Sequence, residues 1–209
     1  MSSPISSSFI YLASQSPRRA ELLTQLGVAH RLLLADESED AEGLEVIRGA
    51  EAPKAYVQRV TRLKLQAAVQ RLKARGLFDS ALVNAPILCA DTTVALGRDI
   101  LGKPSGIRAA GQMLAALSGK THRVLTSVGV AYKGKSHFAL SESQVTFASL
   151  SKAQIDAYIA TGEPFGKAGS YGVQGKAAAF ISKISGSYSG VMGLPLHETA
   201  TLLKAAKVL

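Results

Sequence analysis

The run Phe9-Ile10-Tyr11-Leu12-Ala13-Ser14-Gln15-Ser16-Pro17-Arg18-Arg19 reads as a short buried strand turning directly into a helix. Phe9 to Ala13 is a continuous apolar stretch rich in β-formers, the pattern of a strand covered on both faces. Ser16 stands at an N-cap position, Pro17 at the first helical position and Gly27 just past the end. Between them Leu22, Leu23 and Leu26 share one face, so the spacing predicts a short helix. A strand feeding straight into a helix is the opening unit of an α/β protein.

The same alternation continues along the chain. Leu32 to Ala35 is a possible second strand, and Asp36 to Gly49 an acidic loop without clear period. Pro53 opens a long helix to about Gly76, and Pro86 to Ala90 is another buried strand ending at Asp91. A turn is expected at Gly97-Arg98-Asp99, a helix near Ile107–Leu117, and strands near Val124–Tyr132 and His137–Leu150. Ser151 caps a helix through Thr161. Gly162, Gly166, Gly169, Gly172 and Gly175 then crowd together, marking a backbone that turns sharply or approaches something closely. Ala179–Ile184 reads as a strand and Pro195–Leu203 as a closing helix. Strands alternate with helices early and pair with one another later, so the expectation is an α/β fold with a mixed sheet, in one domain over residues 1–209.

Composition narrows the function. The 209 residues are 47% hydrophobic and 19% charged, too apolar for a disordered chain. One cysteine, Cys89, excludes an internal disulfide and a multi-cysteine zinc site. No apolar run is long enough to span a membrane as a helix, and the first residues lack a basic leader; together these predict a cytoplasmic protein. The formal net charge of +9 favours anionic ligands. Basic residues form no long runs interleaved with aromatics, which are 6% of the chain, so small phosphorylated anions stand ahead of nucleic acid.

Several positions could carry chemistry. Arg18 and Arg19 in the first turn of a helix oppose its dipole, which an anion bound there would explain; an ordinary capped helix with solvated arginines is the plainer alternative. Asp91, with Thr92 and Thr93, lies at the end of a buried strand, where it could bind a cation or take a proton from water, or simply begin a turn. Lys103, between Gly102 and Pro104, suits a phosphate oxygen or a common loop position. Lys64 falls within about 40° of Val60 and about 20° of Val57 on a helical wheel, so it either snorkels or turns its charge into a cleft. Gln174 could read the edge of a base or be solvated. Asp36, Glu37, Glu39 and Asp40 are possible metal ligands or a solvated loop. Other motifs fail: Gly119-Lys120-Thr121 would need a glycine where Leu114 stands, the four histidines are scattered, and no G-x-S-x-G elbow exists.

Taken together, S-Q-S-P-R-R, A-D-T-T, L-G-K-P, T-H-R-V and K-A-G-S-Y-G-V-Q-G resemble, in order, the motifs of the Maf family of nucleotide pyrophosphatases, from about Tyr11 to Leu203. The resemblance implies an elongated Maf/inosine-triphosphatase-like α/β fold with a mixed sheet flanked by helices and two lobes around a central cleft. It implies hydrolysis of a nucleoside triphosphate to monophosphate and pyrophosphate, with Mg²⁺, Mn²⁺ or Co²⁺, by a cytoplasmic homodimer. The 7-methyl-GTP branch typically reads S-P-W-R, S-D-Q and S-E-G; Arg18, Thr92 and Gln174 instead match the branch preferring dTTP and UTP. By the same match Asp91 is the proton acceptor, and Arg18, Thr92 and Gln174 set substrate specificity. Ser14, Arg19, Lys64 and Lys103 line the phosphate cleft. Asp91 is expected to hold metal with Glu39, the acidic-loop residue that aligns without gaps, or with Glu37 after a small shift. The alternative implied by the family is a regulatory or binding protein linked to septum formation and cell-division arrest.

Overall fold

In the computed structural model of the chain, residues 9–36, 39–40, 43–75 and 85–209 are described. Among them β1 (Ile10–Leu12), α1 (Pro17–Gln25) and β2 (His30–Leu32) form the first unit, and α2 (Pro53–Ala74) follows. Next come β3 (Ile87–Leu96), β4 (Asp99–Leu101), α3 (Ile107–Leu117), β5 (Thr121–Tyr132) and β6 (Lys135–Phe147). The chain closes with α4 (Lys152–Ala160), β7 (Ile181–Ser185), α5 (Tyr188–Met192) and α6 (Leu196–Ala205). The sheet runs β2-β1-β3-β5-β6-β7, with β4 paired to β3. β1 is parallel to β2 and β3, while β3, β5, β6 and β7 pair antiparallel, so the sheet is mixed as expected.

Four elements depart from the sequence reading. β3 does not end at Asp91 but continues to Leu96, because Asp91 to Ala95 stay in register with Ser127 to Arg123 of β5 and Thr92, Thr93 and Val94 are strand formers. The second strand is His30–Leu32 rather than Leu32–Ala35, since pairing of Ile10 with His30 and Leu12 with Leu32 sets its register. The turn expected at 97–99 is two residues long, and Asp99 already pairs with Leu96. The short helix α5 has no apolar period that would have announced it; Ser187 caps it by accepting from the Gly190 N–H at 3.0 Å.

One constraint of this topology positions everything that follows. On one edge β3 pairs with β5 over Ile87 to Ala95. On the other, β1 meets only Ile87 and Leu88, and β4 meets only Val94 to Leu96. The residues between, with Asp91 at their centre, therefore border a cleft instead of another strand. The core divides to match. Leu88, Ala90, Val128 and Val130 pack with α1 and α6 below this gap, and Val94, Val124, Val145 and Phe147 pack with α3 and α4 above it. The long strands β3 and β5 run through both lobes. Helix α2 lies against them, burying Val57, Val60, Thr61, Leu65 and Ala68.

Phe147 is 2% exposed and meets the rings of His122, Tyr171 and Phe180 edge-on. Phe147→Ala is expected to cost about 3–5 kcal/mol, read as a lowered denaturation midpoint; a change under about 1 kcal/mol would show that this lobe does not depend on the ring.

Candidate active site

The gap opens into a cleft of about 500 Å³ lined by the β1–α1 loop, α2, the middle of β3, Gly102 and Lys103, residues 166–174 and residues 191–193. Each wall has a local cause. The β1–α1 loop presents the start of α1, where N-cap Ser16 makes no side-chain cap bond and instead donates its N–H to Ser14 Oγ at 3.2 Å. Pro17 brings no N–H and the Arg19 N–H bonds the Ser16 carbonyl at 3.2 Å, so the start of α1 contributes mainly the positive end of its dipole to this wall. The glycine-rich wall needs its glycines: Gly169 has φ +68°, and a Cβ there would lie 2.9 Å from the Val94 side chain.

Two linked clusters occupy the cleft. In the first, Arg19 donates from Nε to the Gly193 carbonyl at 2.8 Å, from Nη1 to Ser14 Oγ at 3.0 Å and from Nη2 to Thr92 Oγ1 at 3.3 Å. Thr92 also bonds Thr126 at 2.9 Å, and Thr126 donates to the Gly190 carbonyl at 2.7 Å. Burial lowers the Arg19 pKa, with the field of Asp91 acting against it. In the second cluster, the Lys64 ammonium donates to Asp91 Oδ1 at 2.6 Å and to Glu45 Oε1 at 2.6 Å, while Lys103 donates to Glu45 Oε2 at 2.8 Å. Burial opposes the charge on Lys64, but Asp91 and Glu45 outweigh it and raise its pKa. Burial likewise opposes the Glu45 carboxylate, and Lys64 with Lys103 hold its pKa below the usual range.

The structure thus brings Ser14, Arg18, Arg19, Lys64, Asp91, Thr92, Lys103 and Gln174 to one cleft. Of the two alternatives for Lys64, its charge is turned inward. Glu39 is not brought there. It is held by Arg71 in a two-point pair, at 2.6 and 2.7 Å, and that hydrogen bond first of all lowers its pKa. Glu37 lies outside the described residues. The carboxylate that meets Lys64 and Asp91 is Glu45, which ends a single 3₁₀ turn at Gly43–Glu45. Lys167 also lines the cleft, and burial and then the charge of Arg18 lower its pKa.

Arg18, Arg19, Lys64, Lys103 and Lys167 therefore face Asp91 and Glu45, a cationic excess suited to a polyanion. Among the described residues no three or more His, Cys, Asp or Glu side chains converge on one point. Two carboxylates do converge, on the Lys64 ammonium, so a positive charge is already favoured between them. A hard divalent cation fits that donor set when substrate phosphates supply its remaining oxygens.

A family model described as a Maf-like protein matches residues 9–206. The chain belongs to the Maf family. The dTTP/UTP pyrophosphatase of Polaromonas sp. is 61% identical over 95% of this chain and 96% of its own length. That of Albidiferax ferrireducens is 61% identical over 95% and 97%, and that of Cupriavidus metallidurans 60% identical over the same shares. The solved Ham1 protein of Staphylococcus aureus aligns at TM-score 0.40 and 12% identity over 66% of this chain and 71% of its own, too distant to carry weight here. No described helix of this Maf protein is long and apolar enough to cross a membrane.

Behind the glycine-rich wall, His122 Nε2 and Tyr171 Oη share a hydrogen bond of 2.8 Å inside the upper core. Burial pushes the His122 pKa down from 6.5 to about 4. The unfolded chain binds this proton below pH 6.5 and the folded chain resists it to about pH 4, so stability is full above pH 6.5 and falls as the pH drops between these values. Melting temperatures of wild type and His122→Gln, measured from pH 7.5 to 4.5, are expected to converge with acid as the wild type loses more. Parallel curves would show that His122 is not the group responsible.

Proposed function

We propose that this protein is a dTTP/UTP pyrophosphatase that hydrolyses these nucleoside triphosphates to the monophosphate and pyrophosphate, in housecleaning of the nucleotide pool. The observation that carries the reading is the pairing of Asp91 and Glu45 on one lysine in a cleft with excess positive charge. The names of the relatives supply the substrate.

In this reading Ser14, Arg19, Lys64 and Lys103 hold the triphosphate beside the positive end of α1. Asp91 and Glu45 hold a divalent cation, Mg²⁺, Mn²⁺ or Co²⁺, which when bound offsets phosphate charge and acidifies water. Among the described residues only Lys64 hydrogen-bonds the Asp91 carboxylate, through Oδ1. Oδ2 is left to accept a proton as water attacks the α-phosphorus. The new bond joins the water oxygen to that phosphorus; the bond to the α–β bridging oxygen breaks, and pyrophosphate leaves with the electron pair. Lysines and arginines around the leaving group stabilise the charge that develops on it. Arg18, Thr92 and Gln174 set specificity. Arg19 ties Thr92 to the phosphate end, and Gln174 is exposed on the opposite wall with donors and acceptors for a pyrimidine edge.

The reading extends to one domain spanning the chain, a homodimer and a cytoplasmic location. It does not require nucleic acid, because the cations named above line a cleft of small-molecule size. Nothing in the cleft favours a purely regulatory protein.

Pyrophosphate release from a panel of nucleoside triphosphates, with Mg²⁺, Mn²⁺ or Co²⁺ and with chelator, tests the proposal. Metal-dependent turnover selective for dTTP and UTP is expected, and its absence from folded protein would overturn it. Asp91→Asn is expected to lower kcat by about 10²–10⁴-fold without unfolding the chain; near-wild-type turnover would remove Asp91 from the role of base. Glu45→Gln is expected to weaken turnover at least as much as metal is made limiting, whereas Glu39→Gln is expected to act on stability through Arg71 and leave kcat within about twofold. The reverse ranking would restore Glu39 to the metal site.

A further inference from the structure

Glu45 sits at the end of a single 3₁₀ turn, in a segment whose following residues Val46 to Ala50 are exposed. Its carboxylate is held by Lys64 and Lys103, and both are cations that a triphosphate entering the cleft would draw to itself. Something else must keep Glu45 in place when they turn away.

That hold is on its backbone. Tyr56 Oη donates to the Glu45 carbonyl at 2.9 Å. Arg59 reaches the carbonyls on either side, Nη1 to Leu44 at 3.5 Å and Nη2 to Val46 at 2.9 Å. Arg59 is itself fixed by Glu51, from Nε at 3.0 Å and from Nη2 at 2.5 Å, and that hydrogen bond first of all raises its pKa. Glu51 in turn accepts from the Arg48 N–H at 2.9 Å. Arg59 does not line the cleft. It stands on α2 one turn after Tyr56 and just over one turn before Lys64. Three successive carbonyls are thus referenced to the same rigid helix that carries the lysine between the two carboxylates. The planar guanidinium reaches Leu44, Val46 and Glu51 at once from three separate nitrogens, a rigid spread of donors that the single nitrogen of an ammonium does not offer.

We propose that Arg59 is a positioning residue, holding the Leu44–Val46 backbone so that the Glu45 carboxylate stays opposite Asp91 after Lys64 and Lys103 turn to the phosphates. The inference rests on the reading of Glu45 and Asp91 as the metal-holding pair.

The test is a double-mutant cycle on the full chain between Arg59→Met and Glu45→Gln, with kcat, nucleotide KM and the Mn²⁺ affinity of protein saturated with non-hydrolysable α,β-methylene-UTP measured for each. Arg59→Met is expected to lower kcat on the order of 10- to 100-fold and to weaken Mn²⁺ binding, while KM changes by less than about threefold. In the Glu45→Gln background the same substitution is expected to do almost nothing, because there is no carboxylate left to misplace. Arg59→Lys, which keeps the charge beside Glu51 but loses the fork, is expected to behave like Arg59→Met and serves as the readout should that variant fold poorly. Equal losses in both backgrounds, or a lowered melting temperature with kcat and Mn²⁺ affinity unchanged, would overturn the positioning role and leave Arg59 a structural clamp. If Glu45→Gln alone leaves turnover and Mn²⁺ affinity intact, the underlying reading of Glu45 fails first and the inference falls with it.

Discussion

The Lys64 ammonium, set between Asp91 and Glu45, is the interaction on which the site depends. Asp91 stands in the middle of a strand with 8% of its side chain exposed, a place where a lone carboxylate would be strongly disfavoured. The lysine compensates that charge and is compensated by it. Removing one member of a fully buried pair costs about 3–5 kcal/mol, and the cost is smaller here because a fifth of the Lys64 side chain reaches solvent. In the proposed function this tolerated arrangement becomes useful: a triphosphate would draw Lys64 to its phosphates and leave two converging carboxylates facing the space the ammonium occupied.

The sheet makes this possible by leaving β3 without a neighbour at that point. Had β1 continued beside β3 past Leu88, a backbone ladder would have filled the space now open at Asp91. Two cores on either side of the gap hold its walls apart, with β3 and β5 as common rails. The upper wall is braced from behind by the hydrogen bond between His122 and Tyr171. Glu163 adds a second brace, accepting from Tyr158 Oη and the Lys176 N–H, both at 2.9 Å. The chain passes this carboxylate closely at Gly175, where a Cβ would fall 2.2 Å from Glu163 Oε1 and push the carboxylate aside.

Much of the site was legible because its residues sit at element boundaries or break a pattern. Arg18 and Arg19 defy the helix dipole, Lys64 interrupts an apolar stripe, and five glycines crowd into residues 162–175. Glu45 was missed in favour of Glu39. Both precede α2 in a segment without period, so counting along the chain cannot rank them. Helix α2 ranks them instead: Lys64 and Arg71 project two turns apart, and each takes one glutamate, Glu45 to the first and Glu39 to the second. The one local sign was that Glu45 is flanked by Leu44 and Val46, while Glu39 stands in an acidic run.

The sequence by itself determined the alternation of strands and helices, the mixed α/β class, the family and nearly all of the cleft residues. These depend on local periodicity, capping and short motifs, which are written in neighbouring positions. Only the tertiary structure decided that β3 runs on through Asp91, that Lys64 turns inward, and that Glu45 rather than Glu39 completes the pair. Each of those outcomes is a choice among partners distant in the chain, and the balance of charge, burial and hydrogen bonding that makes the choice exists only once α2, β3 and the 43–51 segment are packed together.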